Sequence, residues 1–292
     1  MATECALELQ QTRTQATIQL TRALYPLEHP LADERTQDTL EASQSVSREQ
    51  IVAYHAAAID RSSLVVSLVG DITPETQSKI ETYFKRLPRT AVHSTMAEPV
   101  VTHNPQFLKT SIPDKASIDY LIGITTGITD AHTDYPALLI GVNVLAHWGG
   151  FSGRLMKIVR EQEGLTYSVY GRLVGMNFTD GYISIMGSFA PELFDKGRAA
   201  IRREILRIVQ DGIESMEFKK HLRMFVAHAT IVTVESSALA RTMHELTVRN
   251  KPLSYMKTFS ERVAKLTKKE VEHALRKYLI LEECTESAAG PV

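Results

Sequence analysis

The segment that decides the fold runs from residue 149 to residue 170 and reads Gly149-Gly-Phe-Ser-Gly-Arg-Leu-Met-Lys-Ile-Val-Arg-Glu-Gln-Glu-Gly-Leu-Thr-Tyr-Ser-Val-Tyr170. Its opening glycines predict a sharp entry into a short helix, and Gly164 predicts the end of that helix through a left-handed backbone. The run Tyr167–Tyr170 predicts a strand immediately afterwards. Arg160 is thereby placed near the helix end and Tyr167 at the strand start, so only a tight turn separates two strong hydrogen-bond donors.

The composition indicates a globular chain and argues against several classes of function. Of the 292 residues 43% are hydrophobic, which is enough for sizeable cores, and the net charge of −1 gives no basic surface for nucleic acid. Cys5 and Cys284 lie at opposite ends and form neither a disulfide framework nor a metal-binding spacing. We expect no signal peptide, because the first 20 residues lack an apolar core, and no membrane span, because the apolar runs are too short. A soluble protein is predicted, with its compartment left open.

A sequence plan of capping box, helix, strand-favouring segment and glycine begins near residue 47 and recurs near residue 267. Ser47-Arg-Glu-Gln50 and Thr267-Lys-Lys-Glu270 are both predicted capping boxes, each followed by a helix and then by a segment that favours a strand. The distance from cap to glycine is 23 residues in both places, ending at Gly70 and Gly290. Two copies of one domain type are the preferred interpretation, although helix–strand pairs are common in any α+β protein.

The repeat predicts how the chain is divided. Residues 89–106 are rich in Pro, Thr, Ser and His and lack periodicity, which is typical of a linker. Residues 1–88 are then the C-terminal part of a first domain whose front is missing, and residues 107–292 are a complete second domain. The predicted fold class is α+β, with two related domains that each form a mostly antiparallel sheet with helices on one face. Strands are expected at Leu64–Val69, Phe107–Ile112, Ser117–Thr125, Gly181–Ser188 and Thr285–Ala289.

The segment Gly149–Tyr170 resembles the pitrilysin/insulinase (inverzincin) family of zinc metallopeptidases, whose second homologous domain carries an Arg and a Tyr at this spacing. Val69-Gly70-Asp71 and the helix that ends at Phe84-Lys-Arg-Leu-Pro88 are similar to the tail of the family's zinc-binding domain. That family holds zinc on an H-x-x-E-H helix, and this pentapeptide does not occur in the sequence. The resemblance therefore implies the half of such a peptidase that lacks zinc. The metal is expected only in a partner chain or in a missing N-terminal segment.

Two histidine-containing stretches come close to zinc motifs without completing them. His244-Glu245 begins like H-E-x-x-H, but Val248 stands where the second His should be. Lys269-Glu-Val-Glu-His273 matches the inverted motif except for its first residue, and an ammonium group is a poor zinc ligand. We therefore predict no metal ligand from either stretch.

Four further residues are weighed as ligands and not assigned. His221 and His228 share a face of one predicted helix without a third ligand, so a core or surface role is the better interpretation. Glu4 and Glu8 lie near the place where the resemblance puts the family's third zinc ligand, a Glu on an upstream helix. The register there is not fixed, and an exposed helical face is the preferred reading.

The resemblance implies that Arg160 and Tyr167 hold a carbonyl group of a peptide substrate. Peptide hydrolysis develops negative charge on the carbonyl oxygen, and donors fixed in advance around that oxygen stabilise the transition state. The alternative is architectural: the Arg pairs with Glu161 or Glu163, and the Tyr packs on the sheet. No catalytic residue is predicted in this chain alone.

Two hypotheses about function follow. The leading one is a non-catalytic half or subunit of a pitrilysin-like zinc metallopeptidase, which forms the chamber wall, contacts substrate carbonyls through Arg160 and Tyr167, and is inactive alone. The alternative is a peptidase-like scaffold or core subunit with no proteolytic role. The expected partners are a peptide substrate and either a zinc-bearing homologous subunit or the missing N-terminal segment. A homo-oligomer is a further option.

Overall fold

The structure, a computed structural model, describes residues 2–59, 64–88, 105–147, 152–231 and 234–292. The N-terminal part contains helices α1 (Ala2–Glu8), α2 (Thr12–Leu24), α3 (Thr36–Ser45), α4 (Arg48–Ala58) and α5 (Pro74–Phe84). The strands are β1 (Gln106–Ser111), β2 (Ile118–Thr125), β3 (Ser168–Val174), β4 (Tyr182–Phe189) and β5 (Thr285–Gly290). The later helices are α6 (Tyr135–Ala146), α7 (Phe194–Gln210), α8 (Ser215–Ile231), α9 (Ser236–Val248), α10 (Tyr255–Ala264) and α11 (Lys268–Tyr278), with a π-helix at Met156–Gln162 and 3₁₀ turns at Pro191–Leu193 and Leu281–Glu283.

The five strands form one sheet in the order β1-β5-β2-β4-β3. The β1–β5 pair is parallel, with Gln106 opposite Thr285, whereas the other three pairs are antiparallel. The predicted α+β class with a mostly antiparallel sheet is therefore confirmed. The strands predicted near residues 107, 117, 181 and 285 are also present, as β1, β2, β4 and β5.

The main hydrophobic core lies on the sheet face to which the even-numbered residues of β2 point. Tyr120 and Ile122 are fully buried there, as are side chains from helices α6, α7 and α11. Contact between α6 and α11 is close, because a Cβ at Gly141 would lie 2.7 Å from Cγ of Leu275. Any larger residue at position 141 would collide with Leu275.

Helix α2 covers the opposite face of the same sheet. Leu20 and Leu24 are buried against Leu121 and Met186, which point away from the main core. At Gly123 a Cβ would lie 2.6 Å from Cδ1 of Leu24. The sequence predicted helices on one face of the sheet only, whereas the structure also has a helix from the predicted first domain on the second face.

Helices α4 and α5 of the N-terminal part are exposed, and one predicted strand is wrong. Helix α4 has no buried residue, and neither has α5. The predicted strand Leu64–Val69 is not a strand in the structure. A strand needs a neighbour to receive its backbone hydrogen bonds. In the described part of the chain the sheet consists of β1 to β5 alone, so this segment has no such neighbour.

The boundary between the two parts is only partly described. Residues 89–104 of the predicted linker lie outside the described residues, and β1 begins at Gln106. The division into residues 1–88 and 107–292 stays a prediction. None of the helices within the described residues combines the length and the apolar character that crossing a membrane requires.

Candidate functional site

Arg160 lies on the π-helix Met156–Gln162. The wider turn of this helix is visible where the Glu163 N–H donates to the Ile158 carbonyl at 2.9 Å, five residues earlier. Met156 and Val159 are both buried, and Val159 belongs to the main core. Single π-helical turns are rare and are often found at functional sites, which makes this element a candidate for more than packing.

Gly164 ends the helix as the sequence predicts. Its φ of +63° lies in the left-handed region, and its N–H donates to the Arg160 carbonyl at 3.1 Å. At the other end, Gly153 has φ +109°, and a Cβ there would lie 2.8 Å from the backbone N of His147. Gly149 and Gly150 of the motif lie outside the described residues, as does Trp148.

Tyr167 stands directly before β3 and is 78% exposed. The buried Thr166 holds the turn in place, because its hydroxyl donates to the Ser168 carbonyl at 3.0 Å and also contacts the Ser188 carbonyl. The Ser168 N–H donates back to the Thr166 hydroxyl at 3.2 Å. Tyr167 is thus a solvent-facing side chain on a well-fixed backbone.

The turn brings Arg160 and Tyr167 together. Cζ of the Arg160 guanidinium lies 5.0 Å from the centroid of the Tyr167 ring, within the range of a cation–π contact. Nη1 of the half-buried Arg160 also lies 3.7 Å from Sδ of Met156. Two of the strongest side-chain donors in proteins therefore meet at one surface, although their contact with a substrate stays a prediction.

The carboxylates beside Arg160 are partly engaged elsewhere. Glu163 forms an ion pair with Arg203 of α7. Arg203 also contacts the buried Glu204 at 2.9 Å, so the end of the π-helix is tied to α7. In the architectural alternative Glu163 was a candidate partner for Arg160, and the structure shows it paired with Arg203.

The described residues do not form a zinc site. No group of three or more His, Cys, Asp or Glu side chains within them is arranged to hold a metal ion. His244 and His273 are exposed, and so are Glu4 and Glu8 on α1. The near-motifs around residues 244 and 273 thus lie on solvent-facing helix surfaces.

His221 is buried against the half-buried His147, a pairing that the sequence did not reveal. It is 4% exposed, and its ring centroid lies 5.8 Å from that of His147, at the end of α6. Burial, with smaller contributions from the nearby positive charges of His147 and Lys220, lowers the pKa of His221 to about 4. Both imidazoles have a buried Nδ1 without a hydrogen-bond partner. The prediction of a core or surface role for His221 is settled in favour of the core.

A cavity of about 240 Å³ among α8, α9 and α10 was also missed. Its wall contains Tyr255 and Phe259, four residues apart on α10. This four-residue spacing, which places both rings on one face of a helix, is the sequence signal that could have pointed to the cavity. The residue that completes the polar end, Asp130, comes from a distant loop and carried no sequence signal.

The described residues combine a mostly antiparallel sheet, helices on both of its faces, and a contact between Arg160 and Tyr167 at the turn from helix to strand. The model of the peptidase M16 inactive domain family matches residues 45–225. The chain belongs to this family, since the match covers more than half of its length. The resemblance drawn from Gly149–Tyr170 is thereby confirmed.

Three known proteins are similar to this chain in sequence or fold. The non-peptidase homolog YmxG of Helicobacter pylori is 23% identical over 252 residues, which are 85% of this chain and 56% of that protein. The crystal structure of a peptidase M16 inactive domain from Pseudomonas fluorescens has a TM-score of 0.84 at 23% identity, covering 99% of this chain and 68% of that one. A chain of complex III2 from Candida albicans has a TM-score of 0.75 at 11% identity, covering 99% and 69%. This chain therefore spans little more than half of the curated relative that it matches.

Proposed function

We propose that this chain is the non-catalytic half of an M16-type peptidase and that Arg160 and Tyr167 contact a carbonyl group of a peptide substrate. The observation that carries the proposal is the Arg160–Tyr167 contact at 5.0 Å, with Tyr167 largely exposed on a rigid turn. A guanidinium carries a permanent positive charge and several N–H donors, and a phenol adds a neutral O–H donor. Such a pair suits an oxygen on which negative charge develops.

The zinc is proposed to come from elsewhere, either from a homologous chain or from another segment of a longer protein. Within that proposal, residues 1–88 are part of an incomplete first domain. The support is the apolar surface that this region exposes: Leu64, Val66 and Leu68 are each about 40% exposed beside α5. Apolar surface of this kind usually marks a contact with another protein segment.

The experiment uses this chain reconstituted with its zinc-bearing partner and a fluorogenic peptide. Tyr167→Phe should lower kcat by roughly ten- to a few hundred-fold, the cost of one lost transition-state hydrogen bond. Arg160→Ala should lower kcat and raise KM, because it removes charge as well as donors. Tyr54→Phe is the matched control, since Tyr54 is 76% exposed on α4, away from the site. Unchanged kcat and KM in both site variants would overturn the proposal.

A scaffold without proteolytic role is the second candidate. It is favoured by two relatives, one named a non-peptidase homolog and one a chain of complex III2. Metal analysis of the purified assembly separates the two candidates. Stoichiometric zinc with chelator-sensitive cleavage supports the peptidase half, whereas a stable assembly without zinc or cleavage supports the scaffold.

A further inference from the structure

The cavity among α8, α9 and α10 has apolar walls and one polar end. Four of its lining residues are aromatic: Tyr135, Phe225, Tyr255 and Phe259. Phe259 is central to them, with ring centroids 5.5 Å from Tyr255 and 5.9 Å from both Tyr135 and Phe225. Aromatic rings at these distances form a rigid surface that fits a compact apolar group.

Two hydrogen-bond donors in the cavity wall have no partner. Within the described part of the chain, Nε of Arg249 and the hydroxyl of Tyr255 are both buried and unpaired. The Lys251 ammonium lies over the face of the Tyr255 ring, 4.2 Å from the centroid, and because an ammonium can only donate, it offers no acceptor to the Tyr255 O–H. A buried donor without an acceptor costs free energy, so each orphan marks a place where an acceptor is missing.

The buried charges around this end carry a positive excess. Asp130, whose side chain is 6% exposed, contacts both Arg249 and Lys251, whose side chains are 11% and 16% exposed. Glu245 also lines the cavity, but it is exposed to solvent and so offsets little of this charge. One carboxylate thus faces two buried cations. Burial lowers the pKa of Arg249 and of Lys251.

We propose that this cavity binds a small monocarboxylate with an aryl or branched-alkyl body. Its carboxylate accepts hydrogen bonds from Nε–H of Arg249 and O–H of Tyr255, and its apolar body packs on Phe225 and Phe259. The cavity volume limits the ligand to about ten non-hydrogen atoms, since it lies below the usual 300–1,000 Å³ of drug-sized sites. This site shares no lining residue with the Arg160–Tyr167 pair, and the inference goes beyond the function proposed for that pair.

The test titrates the full chain with 3-phenylpropionate by calorimetry, using 3-phenylpropanamide as the uncharged control of the same shape. The acid should bind with a Kd on the order of 1 mM or tighter, as small ligands of this size do, and the amide about tenfold more weakly. In methyl NMR spectra the acid should shift Met256 and Ala229, which line the cavity. These readouts need no variant.

Variants then locate the site. Tyr255→Phe keeps the ring and should weaken the acid about tenfold, whereas Tyr83→Phe, at an exposed tyrosine on α5, should change nothing. Ser260→Leu should fill the cavity and abolish binding. The proposal is overturned by absent binding, by equal binding of acid and amide, or by shifts that avoid Met256 and Ala229. Undiminished binding in Ser260→Leu would overturn it as well.

Discussion

Residues 47–70 and residues 267–290 follow one sequence plan and end in different surroundings. Both begin with a formed capping box, in which the Ser47 N–H donates to Gln50 at 2.7 Å and the Thr267 N–H donates to Glu270 at 2.7 Å. Both end at a glycine of nearly the same backbone conformation, φ +149° at Gly70 and +143° at Gly290. Between these points the second copy is buried as α11 and β5, while the first is exposed.

The contrast shows which parts of a fold are local and which depend on neighbours. A capping box satisfies backbone donors within four residues, so both copies form their helix. A strand becomes one only when adjacent strands receive its hydrogen bonds, and β5 lies between β1 and β2. Leu64–Val69 has no flanking strand among the described residues and stays outside the sheet. The same plan therefore gives a core element in one place and an exposed apolar segment in the other.

The largest expected effect is a loss of stability at low pH, which the buried His221 should cause and an exposed histidine should not. The His221 pKa of about 4 lies below the ordinary 6.5, so between these values the unfolded chain binds a proton that the native chain does not. The free energy of unfolding should fall by about 3 kcal/mol as the pH drops from 6.5 to 4. His221→Phe should reduce this slope, with the half-buried His147, whose pKa is also lowered by burial, supplying part of what remains.

Urea unfolding at several pH values measures this slope. His55→Phe is the control, because His55 is exposed on α4 of the first copy. A wild-type slope in His221→Phe would mean that the pairing of His147 with His221 is not what makes the protein acid-sensitive.

The second prediction compares equivalent helix positions. Val271 and Ile51 each stand four residues after their cap, but Val271 is fully buried and Ile51 is 54% exposed. Val271→Ala should lower the free energy of unfolding by about 2 kcal/mol through lost burial and a cavity. Ile51→Ala should change it by less than about 0.5 kcal/mol. Chemical denaturation gives both values, and equal losses would show that the first copy is packed after all.

A smaller effect is expected at the caps themselves. Thr267→Ala should cost about 1 kcal/mol of global stability, the usual price of an N-cap. Ser47→Ala should fray α4 but change global unfolding by less than about 0.5 kcal/mol, because no residue of α4 is buried. Denaturation combined with helix content from circular dichroism distinguishes the two responses. A global loss in Ser47→Ala similar to that in Thr267→Ala would contradict the contrast.

Local signals made much of this fold predictable from sequence. Capping residues placed α4 and α11, Gly164 placed the helix end, and β-branched runs placed β2 and β4. The spacing of Arg160 and Tyr167 across a short turn was enough to predict that they would meet. Each of these features depends on residues that are close in the sequence.

The remaining features depend on distant residues and left no local signal. The pairing of His147 with His221 joins α6 to α8. The docking of α2 at Gly123 joins the predicted first part of the chain to the predicted second part. The π-helical geometry around Arg160 also had no signal in the sequence, which predicted only a short helix there. The strand predicted at Leu64–Val69 was wrong for the same reason. Its residue pattern favours a strand, but a strand forms only when adjacent strands receive its backbone hydrogen bonds.

Amide hydrogen exchange on the isolated chain, dilute enough to be monomeric, tests the central contrast most directly. Amides of Thr285–Gly290 should exchange on the order of 10³-fold or more slowly than those of Leu64–Val69, because only the former lie within a buried sheet. Leu64–Val69 should exchange nearly as fast as an unfolded peptide. Comparable protection of the two segments would contradict the account, since it would show that the first copy already has the strand neighbours that we find only around the second.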